Sequence, residues 1–162
     1  MKYTFKDFIP LIIIFALITG FTALRQAVAP FFDNMNAMND FMAGFFLVFG
    51  AFKLINIHRF VEAYRMYDLV AQKNFAYAYA YPFIELGLGV FYLFRLFPVA
   101  TNVFTLILML VSALGVGIEL SKGKKIMCAC LGVVFKLPMT YVTLLEDLLM
   151  AGMATYMLFN LM

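Results

Sequence analysis

Histidine, cysteine and charge are all scarce in this 162-residue chain, which holds one His, two Cys and only 13% Asp, Glu, Lys and Arg. Each shortage excludes something. A single imidazole, His58, with no second His or Cys within ligand spacing, is poor support for a metal site built on histidine. The 12 Lys and Arg stand against 9 Asp and Glu, for a formal charge of +3. No basic tract would grip a phosphate backbone, so nucleic acid is not an expected partner. Charge this sparse, beside 65% hydrophobic residues and a mean hydropathy of +0.96, lies far outside the composition of soluble domains. The lipid bilayer is the expected surrounding. About 20 apolar residues are needed for each crossing, so the length allows about five spanning helices and leaves no room for a soluble domain. Most enzyme classes that need an aqueous cleft are excluded on that ground. MKYTFKDF followed by LIIIFALITGF has the charged and apolar parts of a signal peptide, but no A-x-A-like site before a soluble domain follows. A retained first helix is expected.

The fold class expected is therefore all-α, a polytopic transmembrane helical bundle forming one integral-membrane domain over 1–162. The spans are placed at 8–30, 41–57, 75–97, 101–120 and 140–161, with an interfacial amphipathic helix at 58–72. Pro10 falls in the first turn of the first span, where a missing amide proton costs little. FFDNMNAMND, residues 31–40, has Asp33, Asp40 and three Asn but no Lys or Arg, and reads as a loop on the translocated side. From His58 onward Phe60, Val61, Tyr64, Tyr67 and Ala71 recur at helical spacing. His58, Arg59, Glu62, Arg65 and Asp68 take the opposite face, with Arg59–Glu62 and Arg65–Asp68 at i,i+3. Gly115 and Gly117 are expected to admit a close helix neighbour. Thr143 and Glu146 have the spacing of a capping box, although Pro138 fits the first turn of a helix that begins earlier.

Counting basic residues near the helix ends gives an orientation. Lys2, Lys6, Arg59, Arg65, Lys73, Lys122, Lys124 and Lys125 gather on one side, while Arg25 and Arg95 mark the other. The first side is expected to be cytoplasmic, and with it the N-terminus.

Four ionisable residues fall within spans or at their ends, where a charge costs a few kcal/mol or more unless paired: Lys53, Glu85, Glu146 and Asp147. At about 1.5 Å per residue all four fit in one leaflet, and a single cluster is expected. Two readings of it stand: a Lys53–Glu85 ion pair that fixes helix packing, or a proton or ion site.

The chemistry-bearing stretch is 122–140, KGKKIMCACLGVVFKLPMT. Cys128 and Cys130 form a C-x-C, and a thiol is the one side chain here able to act as soft metal ligand, nucleophile or two-electron redox centre. Lys122, Lys124 and Lys125 favour the thiolate, and Gly132 and Pro138 interrupt helix nearby. Three uses remain open at this point. The pair can cycle between dithiol and disulfide or pass electrons to a partner or a quinone. It can bind a soft ion such as Cu(I) or Hg(II), with Met127 or Met139 as thioether support. Or the two cysteines are small buried hydrophobes.

FGAFKLINIHRFVEAYRMYD, YPFIELGLG, KIMCACLGVVFKLPMT and LLEDLLM together resemble the MauE/DoxX type of redox-associated membrane protein over roughly residues 40–160. The marks are Lys53 in the second span, Tyr64 and Tyr67 in an amphipathic segment, Pro82 with Glu85, and the C-x-C-x-G of Cys128, Cys130 and Gly132. Leu131 departs from the usual C-x-C-F-G. The resemblance implies a compact helical bundle in a bacterial inner membrane that assists thiol or electron chemistry of a partner protein, as in maturation of disulfide-rich dehydrogenase subunits. Similar segments also occur joined to heavy-metal-associated domains, which implies thiophilic metals as the alternative cargo.

Overall fold

The computed structural model describes residues 8–29, 31, 33–122 and 141–161, and every regular element among them is helical. The helices are α1 (Ile9–Val28), α2 (Asn34–Ile55), α3 (Ile57–Tyr64), α4 (Phe75–Phe94), α5 (Pro98–Ser121) and α6 (Tyr141–Leu161). Four of them, α1, α2, α5 and α6, are long and apolar enough to cross a membrane. Five spans were expected. The difference is α4, which matches the others with 20 residues but carries Tyr77, Tyr79, Tyr81, Tyr92 and Glu85.

In α1 the buried residues Leu11, Ile14, Ile18, Thr22 and Gln26 recur every three or four positions, so one narrow stripe faces α2. The other faces are apolar and open, with Leu17 67% and Leu24 64% exposed. In water such a surface would be a liability; in lipid it is the ordinary exterior.

The second helix begins seven residues earlier than expected. Asp33 is the reason: it sits in extended backbone and its side chain accepts from Met35 N at 2.9 Å, so an acidic residue read as loop is an N-cap. Asp40 lies about two turns further in, buried, and takes the Arg25 guanidinium at 3.0 Å. That pair ties the end of α1 to the start of α2.

The amphipathic segment is also changed. Phe60, Val61, Tyr64, Tyr67 and Ala71 are all buried, as their spacing implies, but regular helix stops at Tyr64 and turns run on to Asn74. Asp68 is the cause, because its Oδ1 accepts from Val70 N at 3.0 Å and Ala71 N at 2.7 Å. A short side chain that bonds its own downstream amides offers the backbone an alternative to the helix. Asp68 is consequently buried, not on a polar face, and it does not pair with Arg65. Arg65 instead donates to Ala71 O at 3.1 Å and lies over the Phe75 ring. The segment packs into the bundle, and Gly115 makes room: a Cβ there would lie 2.4 Å from Tyr67 O. So Gly115 admits a turn, not a helix, while Gly117 meets nothing within 4 Å.

Asn74 caps α4 by accepting from Tyr77 N at 3.2 Å. Left-handed Arg95 and Phe97 (φ 55° and 45°) then make the tight turn into α5. The main packing partners are α2 with α4 and α5 with α6, and α1 leans on α2. A buried fork joins the two pairs, in which Tyr92 Oη reaches Asn102 Oδ1 and Thr105 Oγ1, each at 3.0 Å. Thr143 lies inside α6, which is already running at Tyr141, so it is not the helix cap its spacing proposed.

Candidate functional site

Between the two helix pairs lies a cavity of about 20 Å³, closed at one end by α3 and the turn after it. That is room for about one water molecule. Lys53, Glu85, Glu146 and Asp147, distant in sequence, all line it.

Lys53 comes two residues before the end of α2. Its ammonium passes 5.6 Å from the centroid of Phe60 and 5.0 Å from that of Tyr81, and it ion-pairs directly with Glu85 Oε1. Aromatic faces and a carboxylate together replace the water that a buried ammonium gives up. Glu85 stands on the buried face of α4, three residues after the buried Pro82, and its second oxygen, Oε2, has no hydrogen-bond partner. From α6, Asp147 is hydrogen-bonded by Ser112 of α5, which leaves Asp147 Oδ2 and Glu146 Oε1 unpartnered. Glu146 also reaches the inner end of an apolar groove of about 320 Å³ between α1 and α6, walled by Leu11, Phe15, Leu145 and Leu149.

Tyr64 and Tyr67, outside the spanning helices, contribute their rings to the same cavity. Burial holds the Tyr67 phenol well above its usual range, and the neighbouring carboxylates of Asp147 and Asp68 push it further the same way. Tyr64 is raised by burial first and by Tyr81 and Asp68 after it. Both phenols therefore stay protonated beside the acidic cavity.

Sequence reading placed the four ionisable residues in one region, and the geometry puts them around one cavity. It missed Ser112 and Tyr81, whose only signal was position on an inward helix face, and it put Asp68 outside. His58 is exposed and bonds Tyr79 Oη at 2.8 Å through Nδ1. Cys128, Cys130 and Met127 lie outside the described residues. Among the described residues, no three His, Cys, Asp or Glu side chains are arranged to hold a metal ion.

Lipid-facing apolar helices around buried, partly paired charges define a multi-pass membrane protein whose interior, not its surface, carries the polar chemistry. The family of methylamine utilisation protein MauE matches residues 33–160, and the chain belongs to it. That range holds α2 to α6, the whole cavity and the C-x-C, and leaves out α1. No curated protein and no solved structure matches the chain.

Proposed function

We propose that this chain supports thiol–disulfide chemistry of a partner protein from within the bacterial cytoplasmic membrane, with Cys128 and Cys130 as the exchanging pair. One observation carries the reading beyond family membership. The C-x-C stands in the segment joining α5 to α6, and both of those helices send polar side chains, Ser112 from one and Glu146 and Asp147 from the other, to a single buried acidic cavity. Thiol exchange requires proton acceptors and donors, and here they belong to the flanking helices.

The chemistry balances without a further reagent. One thiolate attacks a partner disulfide, forms a mixed disulfide and releases a partner thiolate; the second cysteine then attacks the mixed disulfide. The C-x-C ends as a disulfide and the partner as a dithiol, so two electrons and two protons have passed to the partner. The reverse direction oxidises the partner. Small C-x-C rings are strained and correspondingly oxidising. With α4, which packs along α2, taken as a further crossing, the clustering of basic residues supports a cytoplasmic N-terminus and a cytoplasmic 122–130.

Cys128→Ser and Cys130→Ser variants, acid-quenched in membranes and resolved without reductant, test the proposal. One variant is expected to accumulate a reducible adduct with a second protein and the other is not, because only the resolving cysteine's loss stalls the exchange. Absence of an adduct from both variants contradicts it.

A further inference from the structure

The acidic cavity has a property that holds whether or not the thiol reading does. Glu85, Glu146 and Asp147 are 2%, 5% and 7% exposed, and Lys53 is 6% exposed. Each carboxylate keeps one oxygen, Glu85 Oε2, Glu146 Oε1 or Asp147 Oδ2, buried and without a hydrogen-bond partner. Buried acceptors are nearly always satisfied, by protein or by water. Here the space beside them admits about one water.

The charges do not balance either. Lys53 is the cation among the described residues lining the cavity, and it is committed to Glu85. The other groups facing inward are Tyr64, Tyr67 and Tyr81 from the α3 and α4 side and Ser112 and Thr143 from α5 and α6. Asp68 stands behind Tyr67 and adds to the negative field there. Three ionised carboxylates against one ammonium would place two net negative charges around one water, in a medium that solvates them poorly. Among the described residues no three such side chains are arranged to hold a metal ion and no second cation lines the cavity; a proton is the compensating charge that the carboxyl groups can take up themselves.

We propose that the cavity is a proton-binding site, in which a lodged water and the carboxyl groups of Glu85, Glu146 and Asp147 together hold at least one proton beyond those on Lys53. Adjacent helical residues point about 100° apart, so a lodged water is suited to bridge Glu146 and Asp147, which both line the cavity. Ser112, on Asp147, fixes one end of that arrangement.

Infrared spectroscopy of the purified full chain in lipid nanodiscs at neutral pH, in H2O and D2O, tests this. The wild type is expected to show a protonated-carboxyl C=O band that shifts down in D2O. That band should shift or be lost in at least one of Glu85→Gln, Glu146→Gln and Asp147→Asn. The wild-type isotope measurement needs no variant to fold. A wild type without such a band overturns the proposal. So does a band whose position and intensity are unchanged by all three substitutions, since it would then belong elsewhere, for example to Asp68. Thermal stability that rises with Na⁺ in the absence of the band would identify a bound cation in place of the proton and overturn it equally.

Discussion

Removing either member of the Lys53–Glu85 pair should cost stability, but not equally, and the inequality follows from what else lines the cavity. Breaking a buried ion pair by deleting one partner costs about 3–5 kcal/mol, because the survivor is left charged and unsolvated. Glu85→Gln leaves Lys53 beside Glu146 and Asp147, whose free oxygens face the same cavity, so its loss should fall near about 3 kcal/mol. Lys53→Met has no such substitute. It leaves the carboxyl groups of the cavity without their cation and gives up the contacts with Phe60 and Tyr81, each worth about 2 kcal/mol when desolvated, so its loss should reach about 5 kcal/mol. The Lys53→Met/Glu85→Gln double variant should lose less than the sum, with a coupling energy of about 2–3 kcal/mol. Reversible unfolding in mixed micelles, titrated with denaturing detergent, supplies all four free energies. Additive losses would refute the pairing, and a milder loss for Lys53→Met than for Glu85→Gln would refute the account of the cavity.

Gly115→Ala should destabilise by about 1–3 kcal/mol, since the new methyl meets Tyr67 O, which is backbone and cannot swing aside. Gly117→Ala, into open space, should be neutral or stabilising by up to about 1 kcal/mol in the same assay. Tyr92→Phe strands Asn102 Oδ1 and Thr105 Oγ1 and should cost about 1–3 kcal/mol, with the loss recovered in part by adding Thr105→Val. For orientation, an impermeant thiol reagent should modify Cys128 and Cys130 only in inverted vesicles; modification from the outer face of intact cells would reverse the topology.

Long apolar runs made the helices plain from the residues alone, and α1 and α5 end within a few positions of where hydropathy placed them. Boundaries failed where a single polar side chain decided the backbone. Asp33 capped a helix that the Asn-rich stretch had made look like a loop, and Asp68 ended one that the periodicity carried on. In both cases the same residue type serves two local structures, and only the completed hydrogen bond tells which. The site divides in the same way. A charge in an apolar run announces itself, so Lys53, Glu85, Glu146 and Asp147 were all visible. Ser112 and Tyr81 were not, because a hydroxyl costs little in a membrane helix whichever way it faces, and only the α2–α4 and α5–α6 packing turns those two inward.

The central claim, that Cys128 and Cys130 exchange disulfides, is met most directly by alkylating both cysteines in acid-quenched membranes while measuring the soft-metal content of the purified chain. The account predicts a disulfide fraction that moves when the partner protein is removed or restored, and no stoichiometric Cu(I) or Hg(II). Two cysteines that stay reduced under every condition, with one such ion bound per chain and lost in either Ser variant, would contradict it.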